Sequence, residues 1–568
     1  MQRIGFIWVI VVLSLLAPRS GIAQVPDQPF FPVKPMILPV AGAPGPATWL
    51  FGQAYGNTTG AFNFGTAWYS AGQGLHFGLD FSMPCGTPLV AVADAEVYAV
   101  DSLSFGAGPH NLLLRHPQLN LISLYGHLLR RAELVPGQIV LQGDVVGLSG
   151  DPDGTCTSRP HLHFEVRASN FRVAYNPVDY IEAPWHSLVT IGPFSNPMFQ
   201  QDMDNPRRWL SLDDQPAVQF GGARLNDYYR AWPYPIDVRP PNNPTLSTAT
   251  EPLPATPWRL RQVGFGGCCA RPWWHPADAN RFYMIDGVPG QRASVFEYHL
   301  AGSQPPTIAY EAPPRLQSPD GRYQVTRVNG AVTIRDLNDL REWPVQTQGF
   351  LPGVSAGNSA LLWEVWKSDY IPGGIPQTVE TWVSALDGSN ARMVYRQSGG
   401  WAVWLDDHRL LINSSVPNTN ATTLRVQDTH DGSLFDLGTW EALRGLSVAP
   451  GGGRVLFYLA WQADPNANGM YVLETQPGAV PQQVPFFGGW RWRDADSVYY
   501  LPFDPSSEAQ SLAYYHLVSG EHRYLTDIAR MPFTVADGDW SVSPDGNRIL
   551  FLNARDRNTW LLEAAPAE

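Results

Sequence analysis

One unit recurs through the C-terminal half of this chain and restricts its fold more than any other feature. A turn runs into an apolar strand at WHPADANRFYMI from Trp274, SPDGRYQVT from Ser318, SAGNSALLWEV from Ser355, WLDDHRLLIN from Trp404, APGGGRVLFYL from Ala449, WRDADSVYYL from Trp492 and SPDGNRILFL from Ser543. The spacing, roughly 37–51 residues, is the period of about four short strands per repeat. One such unit cannot bury its apolar face alone, whereas a ring of them can. The sequence therefore predicts a β-propeller over residues 258–568, with Asp-Gly or Gly-Asn at hairpins that need positive φ. Seven units are visible. If one were only a strand pair belonging to a neighbour, six blades would remain.

With 568 residues the chain is too long for one core, so further domains must precede the propeller. Residues 1–23 read as an export signal: Arg3, an apolar run from Ile4 to Ala17 that is short for a membrane span, then Gly21-Ile22-Ala23 before Gln24. An uncleaved anchor is the alternative. Residues 24–46 are a Pro-rich lead-in. Residues 47–185 alternate apolar and polar positions between glycines, as in TPLVAVADAEVYAV and LISLYGHL, and predict an antiparallel β domain. Residues 186–257 contain DVRPPNNPTLSTATEPLPATP and read as a linker. The fold class expected is thus all-β. A net charge of −13 lacks the basic footprint of a nucleic-acid binder.

Histidine is unevenly spread: six of the 13 lie between His76 and His163. In GLHFGLDF, strand alternation puts His76 and Asp80 on one face and Phe77, Leu79 and Phe81 on the other. Their Cα atoms would be ~13 Å apart in a straight strand, too far to share one ion, so a kink is required and Gly78 can supply it. In HLHFEV, His161, His163 and Glu165 share a face opposite Leu162, Phe164 and Val166. His127 follows Tyr125-Gly126. Taken singly, each of these segments is equally well an ordinary half-polar strand. His110 and His116 fall beside turns and read as surface or locally hydrogen-bonded residues.

Together, H-x-G-x-D, Y-G-H-L and H-L-H-F-E, in this order and flanked by CGTPLVAVADAEV and VPGQIVLQGDVVGLSG, resemble the lysostaphin-like (LytM-type) zinc metalloendopeptidases. The resemblance covers about 140 residues. It implies one zinc ion held by His76, Asp80 and His163, with water in the fourth position of an open catalytic site. It makes His127 and His161 the catalytic residues that take a proton from the water or hold the oxyanion. Tyr125 would orient the site or be a core aromatic, and Glu165 receives no zinc-binding role. The implied substrate is a peptidoglycan peptide, and the implied location is secreted, periplasmic or cell-wall-associated. No membrane span is expected after signal cleavage. The repeat region resembles TolB-type and dipeptidyl-peptidase-type propellers, which implies a surface for wall material or a protein partner. GVSAG (Gly353–Gly357) matches a serine-nucleophile elbow, but an apolar strand follows it where a helix is required.

The approach to the second histidine pair, GDPDGTCTSRPHLHFE, departs from the family pattern and contains Cys156. Cys156 is expected to pair with Cys85, with a fourth metal ligand as the alternative. Cys268 and Cys269 are adjacent and unassigned. Two rival functions stand: a non-catalytic wall-binding or amidase-regulating module, and a peptidase acting on Gly-rich proteins.

Overall fold

The structure, a computed structural model, describes residues 28–194, 200–201, 209–225, 253–254, 257–264, 270–286, 294–300, 307–310, 316–328, 330–368 and 377–565. The signal read over residues 1–23, the adjacent Cys268 and Cys269, and most of the Pro-rich linker lie outside them. No helix among the described residues is long and apolar enough to cross a membrane.

The repeats form seven four-stranded antiparallel sheets, so the six-blade alternative falls. Each recurring turn joins the first two of three or four consecutive strands of one blade, as Ser318 does between Leu316–Gln317 and Tyr323–Val328. Side-chain chemistry explains the SPDG signature. Ser318 Oγ accepts from the Tyr323 amide at 2.8 Å and donates to Asp320 Oδ1 at 2.6 Å, while Gly321 takes φ +73°. Ser543, Asp545 and Gly546 repeat the arrangement. The seventh blade is built from both ends of the region: Trp258–Gln262 pairs antiparallel with Thr559–Ala564, Leu260 facing Leu562. At GVSAG, the chain goes from the short strand Gly353–Val354 into the strand Ala360–Ser368, and Ser355 Oγ is engaged by the Ser359 and Ala360 amides at 3.1 Å. A nucleophile elbow is excluded there.

The N-terminal domain centres on a nine-stranded antiparallel sheet. Its main path runs Leu50–Gln53, Leu79–Ser82, His161–Ala168, Leu121–Gly126, Leu112–His116, Ala95–Val100 and Ile139–Val140. The His161–Ala168 strand is wholly buried because its neighbours flank it on both edges and Val173–Tyr175 extends it. Leu162, Phe164 and Val166 enter the core with Phe81, Leu79 and Tyr125, as alternation requires. Tyr125 is a core aromatic: its hydroxyl donates to the Val90 carbonyl and accepts from the Val92 amide, away from the polar face.

Part of the stretch read as linker belongs to this domain. Val218–Gln219 adds a strand beside Val173–Tyr175, Leu212 and Val218 enter the core, and the Gln215 side chain accepts from the Asn57 amide. The domain also packs on the propeller. Leu50 and Ile191 join a cluster with Leu456, Tyr458 and Tyr500. Ser187 Oγ donates to the Ser507 carbonyl at 2.6 Å, and the Trp461 amide donates to the Pro46 carbonyl at 2.8 Å.

Candidate metal centre

Register does most of the work. Pairing of Leu79–Ser82 with His161–Ala168 sets Asp80 opposite His163. His76 lies before that strand, bridged to Gly56, and the chain bends at Gly78 between them. The bend brings His76 Nε2 to 3.3 Å from Asp80 Oδ1, where a straight strand would hold them apart. It also presses the backbone of Gly78 against its neighbours. A β-carbon there would sit 2.7 Å from His163 Cε1 and 2.6 Å from the Phe164 carbonyl, so only glycine fits.

Three donor atoms converge. His163 Nδ1 is 2.9 Å from Asp80 Oδ1 and 3.2 Å from His76 Nε2, which closes a triangle with the 3.3 Å edge above. Ligands about 2.0 Å from a tetrahedral ion stand about 3.3 Å from one another, so this triangle matches one face of a tetrahedron around zinc. The residues present therefore fit the ion, and the fourth vertex is free of protein ligands among the described residues. Each ligand imidazole is oriented from its far side. His76 Nδ1 donates to the Ala54 carbonyl at 2.7 Å, and His163 Nε2 donates to Glu165 Oε1 at 3.2 Å.

Glu165 thus has a role that the sequence reading left blank. It is fully buried and is held by Arg167, whose Nε and Nη2 donate to its two oxygens at 2.6 and 3.0 Å. Arg167 keeps the Glu165 carboxyl below its usual range against the opposing effect of burial. The signal was present: His161, His163, Glu165 and Arg167 occupy every second position of a buried strand, and buried charges need partners. Burial pulls the pKa of His163 down, but Asp80 and Glu165 outweigh it and raise it to about 9.

His127 and His161 stand beside the triangle. The chain leaves its strand at His127 with φ +57°, which turns the ring to within 4.9 Å of the His161 ring and 5.8 Å of the His163 ring, centre to centre. His161 Nδ1 donates to the Arg159 carbonyl at 2.7 Å, and His127 Nδ1 donates to the Gly108 carbonyl. In neutral rings fixed this way, both Nε2 atoms carry free lone pairs. His161 Nε2 lies 3.8 Å from Asp80 Oδ1. Burial lowers the pKa of both groups, that of His127 to about 3.

The remaining candidates separate cleanly. His116 is buried away from the site, bonded to the Asp94 carbonyl and Ser123 Oγ, and is therefore not a surface residue. His110 pairs with Asp101 at 3.0 Å. Cys156 forms a disulfide with Cys85, so it is no metal ligand. That bridge and Asp151 close the atypical loop: the Asp151 carboxylate accepts from Ser158 Oγ at 2.8 Å and from the Ser158 and Arg159 amides at 3.1 Å. Tyr69, missed in the sequence, lays its ring 5.3 Å from that of His76.

Comparison with known proteins places this geometry. Residues 74–177 match the sequence profile of peptidase family M23. An uncharacterized metalloprotease of Haemophilus influenzae is 40% identical over 103 residues, 18% of this chain and 20% of that protein. Lysostaphin of Staphylococcus staphylolyticus is 28% identical over 127 residues, 22% and 26% of the two chains. The glycyl-glycine endopeptidase ALE-1 of Staphylococcus capitis is 28% identical over 139 residues, 24% and 36%. The chain thus spans between a fifth and about a third of the length of these relatives. A solved dipeptidyl peptidase 4 of Porphyromonas gingivalis is similar over 48% of this chain and 47% of its own, with 13% identity and a TM-score of 0.33.

Proposed function

From the premise that residues 74–177 form a peptidase family M23 domain, we propose that this protein is an exported zinc endopeptidase cutting peptide bonds in peptidoglycan stem peptides or cross-bridges. The observation that carries the reading is the triangle of His76 Nε2, Asp80 Oδ1 and His163 Nδ1, buried yet flanked by two further imidazoles with free nitrogens. The endopeptidase relatives in Staphylococcus support the substrate class, and the apolar N-terminal run supports export. Bound at the triangle, zinc would bring the pKa of a water towards about 7 and polarise the scissile carbonyl.

The chain's own groups supply the proton handling. His161 Nε2 and His127 Nε2 are acceptors in the resting state, because each ring's only proton is committed to a backbone carbonyl. One of them removes the proton of the attacking water. Once protonated it becomes a donor, and can steady the oxyanion or pass the proton to the leaving amine. Glu165 and Arg167 hold the His163 ring against rotation throughout.

The test uses the full chain. Chelation should abolish hydrolysis of purified sacculi and of pentaglycine, and one equivalent of zinc should restore it. His161→Ala and His127→Ala should keep the metal and lose about 10²–10⁴-fold in kcat. Unchanged hydrolysis after complete chelation would overturn the metal-dependent reading, and no hydrolysis by the zinc-loaded chain would leave the non-catalytic alternative standing. Cleavage of Gly-rich proteins in preference to sacculi would relocate the substrate.

A further inference from the structure

A cavity of about 350 Å³ separates the loop before His161 from the propeller. Cys85, Cys156, Ser158 and Pro160 form one wall, and Arg444 and Trp461 stand on the other. No Asp or Glu lines it, although the chain carries 51 acids and a net charge of −13. Arg444 is the one charged group there.

Arg444 is anomalous in another respect. Its Nε is sealed from solvent and has no acceptor among the described residues, and no carboxylate pairs with it. The Trp461 ring lies 4.5 Å from its guanidinium carbon, and the Trp461 indole N–H is likewise buried without an acceptor. Arg444 and Trp461 thus both line the cavity, and neither the Arg444 Nε nor the Trp461 indole N–H behind that wall has an acceptor among the described residues. Arg444 is half-buried and stays charged, so the part of its guanidinium that remains accessible can take an anion. Burial with no acid in reach lowers the pKa of Arg444 from its usual value, as expected of a cation without a counter-charge. The corner is also braced. Trp461 takes φ +58°, an unfavourable conformation for a bulky residue, and its amide is tied to the Pro46 carbonyl across the domain junction.

We propose that Arg444 and Trp461 form a carboxylate-binding corner of the peptide cleft, so that the propeller selects peptides bearing a carboxylate near the scissile bond. This rests on the peptidase reading above. Pro160 borders the cavity and His163 follows three positions later, ~10 Å along an extended chain, a span of about three substrate residues. A terminal carboxylate or an acidic side chain a few residues from the cut would reach the guanidinium, which accepts carboxylates in paired hydrogen bonds.

The experiment compares tetraglycine, pentaglycine and hexaglycine, each with a free carboxylate and as the C-terminal amide. Binding is measured by calorimetry on the zinc-loaded full chain carrying His161→Ala, and turnover on the chain with His161 intact. For at least one length, the acid should bind about tenfold tighter than its amide, with the preference appearing in KM. Arg444→Gln should reduce the ratio to about one while leaving amide kinetics unchanged, and Arg444→Lys should restore part of it. Equal binding of acid and amide at every length, no measurable binding, or a preference surviving Arg444→Gln overturns the proposal. If Arg444→Gln does not fold, the acid–amide comparison on the unmodified residue still decides. An acid preference without turnover would sink the peptidase reading and leave the carboxylate site standing.

Discussion

Glu165→Gln isolates the contribution of groups that never touch the metal. Three donors meet the two Glu165 oxygens: His163 Nε2 at 3.2 Å, Arg167 Nη2 at 3.0 Å and Arg167 Nε at 2.6 Å. Glutamine offers one acceptor oxygen and an NH₂ that can only donate. At least one contact must then become donor against donor, and the Arg167 charge loses its counter-ion, keeping the Phe105 carbonyl and the faces of Phe105 and Phe220 beside whatever neutral acceptor the glutamine offers. An unmet buried donor costs about 1–3 kcal/mol, and a stranded buried charge about 3–5 kcal/mol. The metal-free chain should therefore lose about 3 kcal/mol of N-terminal domain stability. The His163 ring, no longer fixed, should cost a further ~10- to ~100-fold in zinc affinity. Competition with a chromophoric chelator reads the affinity, and chemical denaturation with the metal removed reads the stability. A zinc affinity within about twofold of the unmodified chain would refute the argument that Glu165 positions the ligand.

Three other outcomes follow from the same geometry. Gly78→Ala should abolish zinc binding and hydrolysis, since the added carbon would lie 2.7 Å from His163 Cε1; metal analysis of the purified variant checks this. Zinc affinity should rise with pH, by up to tenfold per unit, and level off near pH 9. Below its pKa of about 9 His163 carries a proton the ion must displace, whereas above it the ring is already neutral; competition titrations from pH 6 to 10 would show a flat profile if this is wrong. Cys85→Ser with Cys156→Ser should destabilise the N-terminal domain by about 4 kcal/mol, because the bridge closes a loop across a separation of 71 residues. Denaturation with and without reductant measures it.

The site was readable in the sequence where it depends on alternation. His161, His163, Leu162 and Phe164 declare their faces two residues at a time, and the distance between His76 and Asp80 demanded the bend at Gly78. The blades were readable because each repeats one Ser-Pro-Asp-Gly-like turn whose hydrogen bonds are local. Glu165 was placed on the histidine face without a role, and Arg167, next on that face, went unread, because a charged pair two residues apart on a strand is commonly a solvated face. For His116 the hydrogen-bonded alternative holds and the surface one does not: a turn lies beside it, but the tertiary fold covers it. The strand Val218–Gln219 is two residues long, too short for periodicity to register. Nothing local in Trp258–Gln262 or Arg444 announces a partner, because those contacts join residues far apart in the chain.

The last-mentioned strand has a consequence in time. Trp258–Gln262 must wait for Thr559–Ala564, about 300 residues later, before the ring of blades is shut. Closing a loop of that length costs about 5 kcal/mol of chain entropy, and such distant pairings form slowly. The sheet carrying His76, Asp80 and His163 is complete by Gln219 and needs nothing beyond it for its own strand pairing. A refolding chain should thus pass through a stage with its cutting site assembled and its ring of blades still open.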